Sequence, residues 1–379
     1  MTLLAVVLVV ATACTDAARE PAARPEAATT STTIGAHGIW SLMAEPPLTV
    51  APRAPAVWTG EELIIWGGST AEGKTLATGA SYDPDTNAWA ELPPSLSKPR
   101  QGHVAVWSGD EVLIWGGSFP ETNHVYGAGM AYRPSSRTWR NLPESPISGG
   151  VKARAVWTGE EMLVWGAIQP GLGGSGSPAA GSETMAYDPT ADQWRNVRDA
   201  PSGGPGHAIA RTGDEVIFLT VTLGQGGEDS VRVLAFDVST GRWRRATDST
   251  LPGSPLPPSV EAIGSCNSGA AVTSAQVDPW AFVWTGSCAA SRGLVYSLGQ
   301  GGWSPTLDLP RMQNVRAVAG GRVVYLFGDV PTGVDVYVYD PRENVLFRSD
   351  HPDVDIASFP DAVWTGSQLL IFNGTRGID

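Results

Sequence analysis

The chain has very little histidine, cysteine or basic charge. It contains five histidines and three cysteines among 379 residues, and they show no spacing typical of a metal site or a catalytic triad. Lysine and arginine total 25 against 38 acidic residues, which gives a formal net charge of −13. Because contacts to nucleic-acid phosphates need clustered basic side chains, this balance argues against a nucleic-acid partner.

Long apolar runs are missing as well. No stretch approaches the roughly 20 apolar residues that span a bilayer, and no long stretch places apolar residues at helical spacing. With 45 glycines and 30 prolines, the chain is too rich in turn-forming residues for a helical fold. The composition therefore predicts an all-β protein, and its acidity favours solubility of an exposed domain.

The N-terminus carries a short apolar segment, Leu3 to Val10, followed by small residues that end in Cys14. This pattern resembles the lipobox of bacterial lipoprotein signal peptides, in which the cysteine is acylated and becomes the first residue of the mature protein. The resemblance implies a signal peptide over 1–13, lipidation of Cys14 and an extracytoplasmic protein anchored to the cell membrane. Ala11 stands where leucine is usual and no basic residue precedes the segment, so the alternatives are a plain secretory peptide cleaved nearby or a short apolar tail with no role.

Two further cysteines, Cys266 and Cys288, remain once Cys14 is assigned to lipid. Cysteines in an exported protein usually form a bridge, so we expect a disulfide between them, with two buried free thiols as the alternative. Residues 14–35 contain almost no large apolar side chain and are predicted to be a flexible tether.

Residues 36–379 contain an internal repeat of about 50 residues. Its markers are the large residues that close short apolar runs: Trp66, Trp115, Trp165, Leu219, Trp284, Phe327 and Phe372. An aromatic residue and a second large apolar residue seven positions later follow most of them: Tyr82/Trp89, Tyr132/Trp139, Tyr187/Trp194, Phe236/Trp243, Tyr296/Trp303 and Tyr339/Leu346. Each unit reads as four short strands separated by turn-forming residues.

The Gly-Gly pair after strand two, the later Tyr and the Trp seven residues beyond it resemble the kelch signature. Kelch repeats form four-stranded blades of a β-propeller of the galactose oxidase/kelch-like superfamily. Seven markers therefore predict a seven-bladed propeller. The final repeat, from Ala362, lacks its second half, whereas Trp40 and the residues after it match a strand four. We expect the N-terminal segment to complete the last blade, with Ser31–Ile34 as its third strand.

No catalytic residue, metal ligand or cofactor site is predicted from these motifs. Galactose oxidase holds copper with tyrosines, histidines and a cysteine-crosslinked tyrosine, and this chain resembles it in blade architecture only. Sialic-acid mutarotases are also kelch-like propellers, but no motif here carries their residues across.

Polar residues that enter strand one provide the candidate site. His103 and His207 share one position of the repeat, Arg154 and Arg316 share the next with Asp361 as their equivalent, and Arg53 and Lys152 share a third. These groups are predicted to surround one mouth of the central channel and attract an anionic ligand such as a uronic or sialic acid. The alternative is that they bond to neighbouring blades and hold the ring together.

The sequence thus predicts a monomeric extracytoplasmic propeller, lipid-anchored or secreted, that binds an unidentified protein or carbohydrate. A carbohydrate-active enzyme with His103, Arg154, His207 and Arg316 at its centre is the second hypothesis. One fold serves many functions, so the architecture leaves both open.

Overall fold

A computed structural model describes residues 6–9, 39–44, 54–70, 72–146, 149, 153–165, 184–197, 208–212, 214–222, 230–250, 271–277, 280–286, 291–297, 303–305, 312–330, 333–349 and 361–372. These residues form strands, turns and two 3₁₀ helices, Pro120–Thr122 and Pro134–Ser136, with no α-helix among them. The all-β prediction is confirmed.

The strands of the N-terminal half are β1 (Val6–Val9), β2 (Ile39–Leu42), β3 (Ala56–Trp58), β4 (Leu63–Trp66), β5 (Gly79–Asp83), β6 (Ala88–Glu91), β7 (Val104–Trp107), β8 (Val112–Trp115), β9 (Ser118–Phe119), β10 (His124–Val125), β11 (Gly129–Arg133), β12 (Thr138–Asn141), β13 (Arg154–Trp157), β14 (Met162–Trp165), β15 (Thr184–Asp188) and β16 (Gln193–Val197). The remaining strands are β17 (Ala208–Thr212), β18 (Glu215–Thr222), β19 (Ser230–Asp237), β20 (Arg242–Thr250), β21 (Ala271–Val277), β22 (Trp280–Gly286), β23 (Ser291–Ser297), β24 (Trp303–Pro305), β25 (Gln313–Gly320), β26 (Val323–Val330), β27 (Gly333–Asp340), β28 (Val345–Arg348), β29 (Asp361–Trp364) and β30 (Gln368–Phe372).

Most of these strands form antiparallel four-stranded sheets, as expected for propeller blades. Five sheets use four consecutive strands each: β3–β6, β13–β16, β17–β20, β21–β24 and β25–β28. Two further four-stranded sheets are built differently. One has the order β12-β11-β8-β7 and carries the β9–β10 hairpin between its second and third strands, and the other has the order β2-β1-β30-β29.

The repeat markers predict seven blades, the last of them completed by the N-terminal segment, and this count needs correction. Among the described residues, five blades have the simple consecutive form, in which four uninterrupted strands follow one another in the chain. The predicted third strand of the last blade, 31–34, lies outside the described residues. In the structure β1 stands beside β30 in that sheet.

The core lies between neighbouring sheets rather than within one sheet. Side chains alternate along a strand, so each second strand contributes to two interfaces. In β4, Ile64 and Trp66 pack against Val112 and Ile114 of the next sheet, whereas Leu63 and Ile65 pack against the last sheet. Every residue of β4 is therefore buried.

The first strands of successive sheets surround the centre. β29 contacts β3, β3 contacts β7, and β7 contacts β13; on the other side β17 contacts β21, β21 contacts β25, and β25 contacts β29. In each antiparallel hairpin the start of strand one lies beside the end of strand two, as Arg154 opposite Trp165 shows. Residues that enter strand one therefore lie at one mouth of the central channel.

A repeated ion pair fastens the opposite end of several blades. A glutamate at the start of strand two meets an arginine that directly follows the tryptophan of strand four: Glu111 with Arg140, Glu161 with Arg195 and Glu215 with Arg244. Each pair joins residues 29 to 34 positions apart. The pairs therefore link the first hairpin of a blade to its outermost strand.

Candidate functional site

Arg154 and Arg316 occupy equivalent positions at the channel mouth. Arg154 begins β13 and lies opposite Trp165 of β14. Arg316 is in β25 and lies opposite Phe327 of β26. Both side chains are exposed, so they reach the water of the channel. The shared position places two guanidinium groups on the inner wall of the ring.

The two arginines are close enough to interact. Burial, and then the positive charge of Arg316, lower the pKa of Arg154 below that of a free arginine. Within the described residues neither arginine forms an ion pair with a carboxylate. The mouth thus presents two cations that an anion would neutralise.

Asp361 shares this position, because it begins β29 and lies opposite Phe372. Its strand is the immediate neighbour of β25. Val104, Ala208 and Thr273 are the equivalents in three other sheets. At this level the described strands carry two arginines and one aspartate.

His103 does not face the channel water. The side chain is only 5% exposed and its ring meets the edge of Trp66, with 5.4 Å between centroids. A Cβ atom on Gly67 would lie 2.8 Å from the His103 ring, and Gly67 has a φ of 74°. Glycine is therefore required where this ring packs between the first two blades.

The environment of His103 keeps its imidazole neutral. Burial lowers its pKa to about 3, and the charge of Arg100 acts in the same direction, while the Trp66 backbone opposes both. Within the described part of the chain, neither ring nitrogen has a hydrogen-bond partner of good geometry. His103 is therefore a packing residue between the first two blades.

Arg100 is a buried residue that the sequence interpretation missed. It is 3% exposed, and its Nη1 donates to the carbonyls of Gly116 and Ala128 at 3.1 and 2.9 Å. Its guanidinium lies 4.3 Å from the centre of the Tyr126 ring. Burial lowers its pKa to about 10. The sequence does contain a signal for Arg100: it lies three residues before His103, and the residues that enter strand one are polar.

Several predicted site residues lie outside the described residues: His207, Arg53, Lys152, Cys14, Cys266 and Cys288. Among the residues that are described, no three His, Cys, Asp or Glu side chains form a group that could hold a metal ion. Nor does the described part of the chain contain a helix long and apolar enough to cross a membrane.

Comparison with known proteins identifies the repeat. Residues 54–268, more than half of the chain, match the KLHDC2/KLHL20/DRC7 Kelch-repeats domain. The solved structure of YjhT is similar over 81% of this chain and 99% of its own, with a TM-score of 0.53 and 13% sequence identity. At that identity the similarity concerns the fold alone. No curated protein sequence matches this chain significantly.

Proposed function

This chain belongs to the kelch-repeat β-propeller family, and we propose that it is a binding scaffold that recognises an anionic group at the mouth of its channel. The observation that supports this proposal is the pair of exposed guanidinium groups of Arg154 and Arg316 at equivalent positions of two inner strands. The positive charge of Arg316 contributes to the lowered pKa of Arg154, and this supports a ligand shared by the two groups.

The chemistry of arginine determines the class of ligand. A guanidinium donates two parallel hydrogen bonds to a carboxylate or phosphate, and it stays charged at neutral pH. A channel with protein walls focuses this positive potential, while the net charge of −13 repels anions from the rest of the surface. A sugar acid, or an acidic side chain of a protein partner, fits this mouth.

We expect replacement of either arginine to weaken binding of an acidic ligand. Glucuronate and N-acetylneuraminate are titrated against the purified protein and its Arg154→Ala and Arg316→Ala variants, with binding read from the rise in melting temperature. Loss of one charged hydrogen-bond donor should weaken binding by about 10-fold or more.

Two controls make this prediction specific. Arg322→Ala removes an exposed arginine from the turn at the other end of the β25–β26 hairpin, and it should bind as the wild type does. Glucose, which lacks the carboxylate of glucuronate, should bind none of the proteins. Equal affinities for the Arg154 and Arg322 variants would contradict an anion site at the mouth.

The second hypothesis, a carbohydrate-active enzyme, gains less support from the site. His103 is one of the four residues at the centre of that hypothesis, and the burial of its ring removes it from contact with a ligand in the channel. His207 lies outside the described residues. Turnover of any sugar found in the titration would nevertheless favour the enzyme over the scaffold.

We also propose that the protein is extracytoplasmic, with Cys14 as its lipid-bearing mature N-terminus and a Cys266–Cys288 disulfide. The support is the apolar segment that runs into Cys14 and the pairing of the two remaining cysteines. A fatty-acid analogue should label the wild type but leave Cys14→Ala unlabelled. Equal labelling of both would exclude the lipoprotein, and two titratable thiols without reductant would exclude the disulfide.

We further propose that the N-terminal segment closes a ring of seven blades. Trp139 and Trp194 donate from Nε1 to the carbonyls of Pro93 and Pro143, each four residues after the tryptophan of the preceding blade. Trp89 donates in the same way to Ala44 at 2.7 Å, and Ala44 lies four residues after Trp40. This shared hydrogen bond supports a strand four formed by the Trp40 segment in the preceding blade.

A further inference from the structure

The last sheet takes its two N-terminal strands from segments far apart in the chain. β1 lies between β30 and β2 and pairs antiparallel with both: Val6 lies opposite Ile371 and Leu42, and Val9 lies opposite Gln368 and Ile39. In the other sheets strands three and four are joined by short turns, such as the one from Asp83 to Ala88. Here 29 residues, 10–38, separate β1 from β2.

The two neighbours of β1 are held in place by other parts of the molecule. β30 is buried on both faces, because Leu370 and Phe372 pack against the first blade and Leu369 and Ile371 pack against the β25–β28 blade. These contacts join β30 to the two neighbouring blades. The inner side of the β1 position is therefore a fixed strand edge.

The outer neighbour, the β2 segment, is fastened to the first blade. Asn87 accepts a hydrogen bond from the backbone N–H of Ala44 at 2.7 Å and donates to the carbonyl of Leu42 at 3.2 Å. Trp89 bonds to the carbonyl of Ala44, and Met43 is buried in the interface. The outer side of the β1 position is thus also fixed without β1.

We propose that the β1 position is an acceptor site for an extended apolar strand supplied by a partner protein, and that processing of the N-terminus opens it. This proposal rests on the proposed cleavage before Cys14, which would remove β1 together with the rest of 1–13. A gap one strand wide, about 10 Å between the flanking strands, would remain. Both of its edges would carry unpaired N–H and C=O groups, the situation in which a β-sheet accepts a strand from another chain.

The sequence of β1 indicates which kind of partner strand the position can accept. Val6–Val9 has the sequence VVLV and runs antiparallel to both neighbours. Valine-rich segments favour extended backbone and pack well beside other strands. A guest strand of at least four β-branched or other apolar residues, without proline, therefore fits the gap. In the unprocessed chain the site is occupied by the protein itself.

A peptide of residues 3–10, LLAVVLVV, with a soluble lysine tag and a fluorophore tests the proposal. It is titrated against the full chain and against a chain that begins at residue 15. The shortened chain should bind the peptide with at least 10-fold higher affinity than the full chain, and its melting temperature should rise on binding. A peptide carrying Val7→Pro and Leu8→Pro should not bind, because proline cannot donate to a strand ladder.

Two results would overturn the proposal. If the shortened chain melts like the full chain and binds no peptide, the gap is filled by the chain itself, for example by residues 31–34. If the unaltered and the proline-containing peptide bind equally well to the full and the shortened chain, the binding is non-specific hydrophobic association. If the shortened chain fails to fold, the full chain with Val7→Pro and Leu8→Pro replaces it and should bind the unaltered peptide. Labelling of Cys14 tests the cleavage separately, so failure of the cleavage and failure of the acceptor site are distinguishable.

Discussion

At the scale of single residues, the aromatic pair of each repeat has two separate tasks. The aromatic of strand three and the tryptophan of strand four are paired residues on adjacent strands. Their ring centroids are 4.8 Å apart in Tyr132–Trp139 and 5.0 Å apart in Tyr187–Trp194. The tryptophan then donates its indole N–H to the preceding blade. Five positions after the aromatic the backbone is left-handed, at Asn87, Arg137, Asp192, Gly241 and Asn344. Asparagine, aspartate and glycine tolerate this conformation best.

The buried His103 should make the stability of the protein depend on pH. The unfolded histidine takes up a proton near pH 6.5, whereas the folded one does so only near pH 3. Between these values the unfolded state binds more protons, so stability should fall as the pH falls below about 6.5. His103→Gln cannot titrate and should show a smaller loss of melting temperature from pH 7.5 to 5.

The matched control for this experiment is His124→Gln, because His124 is exposed. It should keep the pH dependence of the wild type. If the His103 variant loses as much stability on acidification as the wild type does, the neutral buried imidazole is the wrong explanation.

At the scale of the blade, the most connected ion pair lies in the sheet of β7, β8, β11 and β12. Glu111 is buried and accepts hydrogen bonds from Arg140 and Arg133, and Arg133 also forms an ion pair with Asp110. Arg140 extends into the next blade, where it donates to Tyr187 and Asp192 at 3.0 and 3.1 Å. Burial would raise the pKa of Glu111, but these arginines outweigh it and the pKa is lowered.

Glu111→Gln should therefore destabilise the protein by about 1–3 kcal/mol, because two arginines lose their charged acceptor in a buried place. Urea unfolding followed by tryptophan fluorescence measures the change. Glu161→Gln is the control, since Glu161 is more exposed and pairs with Arg195 only at the blade edge. That variant should cost less than about 1 kcal/mol. Equal costs would show that burial does not govern the strength of these pairs.

At the scale of the whole molecule, the proposed closure of the ring depends on the segment around Met43. Deletion of residues 36–50 removes β2, the buried Met43 and the partners of Asn87 and Trp89. Loss of a buried methionine by itself costs roughly 2–5 kcal/mol. We therefore expect a large fall in melting temperature, measured by circular dichroism. Deletion of residues 16–30, an equal length of the predicted tether, should leave it unchanged. A 36–50 deletion that melts like the wild type would exclude closure by this segment.

The sequence by itself determined the fold class and the blade architecture. The 50-residue period, the Gly-Gly pair and the Tyr-to-Trp spacing are local signals, and each reports a turn or a cross-strand contact within one repeat. The position of Trp40 four residues before the carbonyl bonded by Trp89 follows from the same local pattern. These features could be predicted because each of them recurs in several repeats of the sequence.

The tertiary structure alone decided which polar residues reach the channel. His103 precedes Val104, the residue equivalent to Arg154, and neighbouring residues of an extended chain point to opposite sides. A shift of one position therefore buries the histidine between blades and leaves the arginine at the mouth. The Glu111–Arg140 pair and the pairing of β1 with β30 join residues far apart in the chain. No local pattern records such contacts, because folding alone brings the two partners together.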